Sequence, residues 1–272
     1  MSIKKTIILL LIITIVIPSR ADWPVGKGRT SMILAYGFFY SSKYFDSTGK
    51  VSKFTPGDNF KSHTIGLTTL HGITRRLDLT LGIPIIMQDL VNNGKGERNS
   101  GIGDVSIGLS LHFPSELYKR HLTLKANIII PAYENVNTPY LGFASKGFQG
   151  AINYSFTPAP QSFAVLEGTY TRYVDYSDGP EQIGGTATFG KQLNKYSMIT
   201  FSFNHQVSNS ISTNFNQNVL VNKNFTSGRL TVAYGRRITR IITPFIQGFY
   251  TLYGTNMGIG LGGNLFFIIK LP

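Results

Sequence analysis

Two regularities predict a transmembrane antiparallel β-barrel of about twelve strands: apolar and polar residues alternate with period two in one segment after another, and the connectors between segments are by turns short and long. A third feature, an export segment at the N-terminus, says where such a barrel would go.

Residues 1–21 begin with Lys4 and Lys5, continue as an apolar run from Ile7 to Ile17, and end on Ser19-Arg20-Ala21. A basic start, a short apolar centre and a small-x-small end make a secretory signal peptide, with cleavage expected after Ala21. The apolar run is shorter than the ~20 residues a spanning helix needs, and Pro18 closes it. Residues 22–272 are then a single domain, because a barrel closed by pairing its first strand with its last cannot be divided into independent halves.

The alternation is plainest at Leu77, Leu79, Leu81, Ile83, Ile85 and Met87, which share one face against Asp78, Thr80 and Gly82. It recurs at Val105, Ile107, Leu109, Leu111 and Phe113, set against Ser106, Gly108, Ser110 and His112. Extending this template predicts strands over 29–40, 62–73, 77–88, 102–113, 122–133, 147–156, 163–173, 183–192, 197–207, 227–237, 243–252 and 258–270, each near the ~9–11 residues that cross a bilayer at a tilt.

Long polar connectors fall at 41–61, 89–101, 134–146, 174–182 and 208–227; short ones at 74–76, 114–121, 157–161, 193–196 and 238–242. Only 254–257 among the outer connectors is short. Outer-membrane barrels place short turns at the periplasm and long loops outside, so both termini are expected on the periplasmic side. Tyr36, Tyr40, Tyr133, Tyr154, Tyr170, Tyr173, Tyr250 and Tyr253 stand near strand ends or on lipid faces, as aromatic girdles require.

Composition agrees: charged residues are 14%, and the mean hydropathy of +0.03 is the average an alternating barrel gives. With no Cys there is no disulfide framework, thiolate nucleophile or Cys metal site. The formal charge of +13 falls to +10 when Lys4, Lys5 and Arg20 leave with the signal. That balance suits anionic headgroups or solutes, and the scattered basic residues form no stripe for nucleic acid. The expected partners are outer-membrane lipids and a small solute, with the protein a monomer.

His63, His71, His112, His121 and His205 show no metal-ligand spacing, so neither a metal nor another cofactor is expected. No catalytic residue is assigned. His71 and His205 share the apparent lipid face of their strands and are the residues a lipid-acting enzyme, the alternative reading, would use. Inward parity singles out Asp78, Asp104, Ser106, Ser110, His112, Lys125, Asn127, Glu167, Thr186, Thr188, Asn204 and Gln247 as pore-lining candidates. Asp104 and Lys125, on neighbouring strands, are a candidate interior ion pair. Gly258, Gly260 and Gly262 occupy one face of the last strand, where missing side chains permit close approach or a bend.

Trp23-Pro24-Val25-Gly26-Lys27-Gly28, the hairpin around Arg75-Arg76-Leu77-Asp78-Leu79, and Ser100-Gly101-Ile102-Gly103-Asp104-Val105 before an alternating strand resemble the MetA-pathway phenol-degradation family, most closely over 23–133. The resemblance implies a porin-like outer-membrane barrel that transports hydrophobic or aromatic compounds, and it supplies no catalytic residue. The chain departs from many outer-membrane barrels in ending on Leu271-Pro272 rather than an aromatic residue, which leaves Phe266 or Phe267 to serve assembly. A barrel of this size is narrow, and side chains or residues 22–28 are the candidates to fill it. A structural or adhesive barrel, with loops 41–61 and 208–227 contacting partners, is the third reading.

Overall fold

The computed structural model describes residues 23–115, 119–213 and 215–272; the predicted signal segment and residues 116–118 of the second short connector lie outside the described residues. In chain order the strands are β1 Thr30–Phe45, β2 Val51–Lys53, β3 Asn59–Gly72, β4 Leu77–Asn92, β5 Lys95–Ile102, β6 Asp104–Pro114 and β7 Arg120–Pro131. They continue as β8 Gly147–Phe156, β9 Ser162–Tyr173, β10 Glu181–Gln192, β11 Ser197–Asn209, β12 Phe225–Arg236, β13 Ile242–Thr255 and β14 Met257–Leu271.

Each long strand pairs antiparallel with its neighbours in sequence, and β14 pairs back to β1 from Thr30↔Leu271 to Phe45↔Met257. The sheet is therefore a closed twelve-stranded barrel, with β2 and β5 as additions at its outer end. Closure leaves no open edge, the condition for spanning lipid with strands. Both ends of the described chain lie at the rim with the short turns.

The alternation read from sequence sets the two faces. Leu79, Ile85, Ile107, Leu109, Leu124, Ile128, Ile152 and Leu166 are exposed on the outside. Asp78, Ser110, Thr123, Asn153 and Thr171 are buried inside. A soluble protein turns its apolar side inward; this one presents it outward, as a barrel in hydrocarbon must. Tyr36, Tyr40, Tyr154, Tyr170, Tyr234, Tyr250 and Tyr253 belong to that exposed surface. Tyr173 does not: it is buried at the long-loop end with Phe143 edge-on at 5.0 Å, because its parity is that of Glu167 and Thr171. Tyr133 also departs, its hydroxyl accepting the Ala144 amide at 3.1 Å in the loop.

At the long-loop end several strands, β1 and β4 with 16 residues each among them, exceed the ~9–11 residues that cross a bilayer. Residues 89–101, read as a loop, form a two-stranded extension instead: β4 and β5 continue to a tight turn at Asn93 (φ 51) and Gly94 (φ 73). Two successive positive φ values define the hairpin turn whose twist matches its strands. Asp58, in the connector after β1, accepts the Asn93 and Gly94 amides at 3.0 and 3.2 Å and fastens two outer elements together.

Candidate functional site in the barrel interior

The interior has three levels. At the short-turn end the segment 23–28 folds up into the barrel. The Gly28 amide donates to the Gly72 carbonyl (2.7 Å), and the Val25 amide donates to Asp78 Oδ2 (3.0 Å). Gly72 is required here, since a Cβ would lie 2.0 Å from the Gly26 carbonyl oxygen. Asp78 is fully buried and also meets His112 Nε2 at 3.0 Å, while His112 Nδ1 meets the Thr123 hydroxyl at 3.1 Å. Next to it, His121 lies between His112 (5.4 Å) and Trp23 (5.5 Å). Asp78 and His112, two of the pore-lining candidates, thus anchor the N-terminal segment.

The middle level is a belt of cross-strand polar pairs. Asn127 donates to Gln149 and Gln149 to Thr171, both at 3.1 Å. Asn204 donates to Thr186 at 2.9 Å, Thr188 and Ser202 share a hydrogen bond at 2.8 Å, and Asn264 donates to Gln247 at 3.2 Å. Ser106 faces Gly82 and Ser110 is buried, both on the inner face. Lys125 pairs with Glu167 at 3.5 Å. The Asp104–Lys125 pair expected from parity is not formed. Register sets Lys125 beside Ser110 and Asp104 beside Pro131, six residues further along the strand, which is ~20 Å. Asp104 instead faces the Tyr133 hydroxyl near the outer mouth.

At the outer level the connector between β11 and β12 turns inward rather than into solvent. Phe215 stacks on Tyr44 at 4.3 Å, and Asn218 donates to the Tyr140 carbonyl at 2.7 Å. Lys223 pairs with Asp178 at 2.6 Å. Tied in this way to the end of β1 and to two other outer connectors, it carries the short helical turn Val219–Val221 over the inner face of β14, where a Cβ on Gly258 would lie 2.6 Å from Val219.

Beneath that turn is a cavity of about 240 Å³, lined by Phe39, Ser62, Thr64, Val219, Arg229, Phe249 and Asn264 among others. The Phe39 and Phe249 rings lie nearly parallel (10°) with centroids 6.2 Å apart. They fit flat against the wall because β14 has glycine opposite them: a Cβ on Gly260 would lie 2.0 Å from Phe39, and one on Gly262 2.1 Å from Phe249. Arg229 sets its guanidinium carbon 4.5 Å from the Phe249 centroid. β-Bulges interrupt the register on either side, between Ser41 and Lys43 in β1 and beside Gly228–Arg229 where β12 meets β13. Bulges re-aim the side chains next to them.

Phe39, Val219, Arg229 and Phe249 were not singled out in the sequence, although parity alone puts Arg229 and Phe249 inside. On the outside, His71 meets the Thr30 hydroxyl at 3.0 Å and His205 the Tyr253 hydroxyl at 2.9 Å. Among the described residues no group of three His, Cys, Asp or Glu side chains converges to hold a metal ion.

No family model matches the chain, and no curated protein matches its sequence. Solved structures do. A COG4313 outer membrane channel from Pseudomonas putida F1 superposes with a TM-score of 0.77 at 15% identity, over 94% of this chain and 100% of that one. The NanC porin gives 0.58 at 8% identity, over 88% and 100%. The translocator domain of the autotransporter NalP from Neisseria meningitidis gives 0.51 at 8%, over 90% and 88%. At such identities the likeness is one of fold.

Proposed function

We propose that this chain, an outer-membrane β-barrel with the fold of channels and porins, is a monomeric channel or transporter for small hydrophobic or aromatic compounds, akin to the MetA-pathway phenol-degradation family that its sequence resembles. The observation that carries this reading is the cavity of about 240 Å³ within the wall, faced by the parallel Phe39 and Phe249 rings. Flat apolar faces beside the hydroxyls of Ser62 and Thr64 receive a small ring better than a hydrated ion or a sugar, each of which would leave polar groups unsatisfied there.

In this proposal the path runs from the outer mouth past Val219, through the cavity, along the polar belt and out past Trp23. Ser106, Ser110, Lys125, Asn127, Glu167, Thr186, Thr188, Asn204 and Gln247 border it, and the segment 23–28 and the β11–β12 connector narrow its two ends. The test is single-channel conductance of refolded mature protein in a planar bilayer, with toluene flux into vesicles alongside. Steady conductance, together with toluene entry faster than into empty vesicles, supports the reading. A folded barrel that is silent and passes no toluene would remove it.

A further inference from the structure

The cavity at Phe39 and Phe249 contains a charge without a counter-charge. Several other ionisable groups among the described residues inside the wall are matched: Lys125 meets Glu167, Asp78 meets His112 and the Val25 amide, and Asp104 faces Tyr133. Arg229 is different. It is partly buried on the inner face of β12, and among the described residues its guanidinium meets no carboxylate and donates no hydrogen bond. Its neighbours across the strands are Asn204 and Thr251, and its one described contact is the face of the Phe249 ring. A guanidinium has five N–H donors in a planar fork, and withdrawing it from bulk water with none of them used on protein is costly.

The surroundings are built around that group. The bulge beside Arg229 interrupts the β12–β13 register, and the glycines at 260 and 262 let both aromatic rings lie back against the wall. What remains is a pocket in which a fork of unused cationic donors lies over the Phe249 face beside the Phe39 ring, with no carboxylate among its lining residues. An apolar solute would use the rings and leave the fork idle. A small inorganic anion would use the fork and leave the rings idle.

We infer that this pocket is a binding site for a small aromatic carboxylate. The carboxylate takes the Arg229 fork in the paired geometry that guanidinium and carboxylate share, and the ring lies against the face of Phe39 and the edge of Phe249 beneath Val219. The inference rests on reading the lumen as a solute path and narrows its cargo from aromatic compounds in general to anionic ones. The net positive charge of the chain favours entry of the same class.

Equilibrium dialysis of radiolabelled benzoate against the refolded barrel in detergent tests this without reference to conduction. Benzyl alcohol, which has the ring without the charge, and acetate, which has the charge without the ring, are run in parallel. Saturable benzoate binding to one site is expected, at least about tenfold tighter than either control, as a charge-assisted paired contact added to ring contact implies. Arg229→Gln should lower benzoate affinity by about tenfold or more, with Arg229→Lys intermediate because it keeps charge but not the fork. Phe249→Leu should bring benzoate down toward acetate.

Heat modifiability on gels shows which variants have folded, and the comparison of the three solutes on the unaltered protein decides the question even if none has. Benzyl alcohol bound as tightly as benzoate, or benzoate affinity unchanged in folded Arg229→Gln, would overturn the site. A barrel that binds benzoate but neither conducts nor passes toluene keeps the site and loses the channel; a conducting barrel indifferent to benzoate does the reverse.

Discussion

Asp78 illustrates how one residue can be placed correctly by parity and still play a different part from the one parity suggests. Its inward direction follows from Leu77 and Leu79 pointing out, yet what it meets is the backbone of residues more than fifty positions earlier. Asp78→Asn keeps the shape and removes the charge from the bonds to Val25 and His112, a loss of about 1–3 kcal/mol for a buried charge-assisted pair. Since Trp23 is the only tryptophan and lies in the anchored segment, its emission should shift to the red and become quenchable by iodide in this variant while the barrel stays folded. Glycine shows the same logic in reverse. Gly260→Ala puts a methyl group where the Phe39 ring and the Tyr40 carbonyl now are, so the ring must swing into the cavity. Binding of benzoate in that variant should weaken by several-fold, the measurement being the same dialysis. Arg229 could be recognised as inward-facing from Leu230 and Val232, but its lack of a partner could not, because that depends on what every neighbouring strand brings to the same height.

At the level of elements, the sequence was most informative where one face is apolar throughout. β4, β6 and β8 fall within a few residues of their expected spans, since a slip of one residue would turn every leucine and isoleucine inward. It was least informative beyond the membrane, where both faces are wet. Lys95, Glu97 and Arg98 gave 89–101 the composition of a loop, although Asn93-Gly94 is a strong hairpin signal. The Asp104–Lys125 pair failed for a related reason: alternation gives the face of a residue but not its height along the barrel. The outer connectors carry two expectations of their own. Asp58 is held below the ordinary carboxylate range, chiefly by the Asn93 amide and also by that of Gly94. A group depressed in this way stabilises at pH above its unfolded value, and the contribution disappears as pH falls through the folded one. Protection from hydrogen exchange at Asn93 and Gly94, taken relative to the intrinsic rate at each pH, should therefore stay high at neutral pH and fall on acidification below the usual Asp range, and Asp58→Asn should lower it and make it much less dependent on pH. The β11–β12 connector is the other case. Replacing Val219 with Gly removes the side chain that covers Gly258, so single-channel conductance should rise while the barrel's thermal stability changes by less than about 1 kcal/mol, the connector lying outside the strand ladder.

For the molecule as a whole, the closed ladder is what makes the fold all-or-none. Unheated protein in SDS should migrate as a compact band distinct from the boiled chain, and a chain lacking 257–272 should never give that band, because β1 and β13 would each present an open edge to lipid. The seam between β1 and β14 also has a consequence in time. Tyr36 is paired with Leu265, so the first strand to leave the export machinery waits for a partner made more than two hundred residues later. Throughout that wait the backbone donors and acceptors on the edge that β14 will cover are unspent, and any other extended chain in the periplasm can take them. The vulnerable form of this protein is thus its own unclosed barrel, and the bacterium must chaperone the chain up to the moment at which β14 makes it safe.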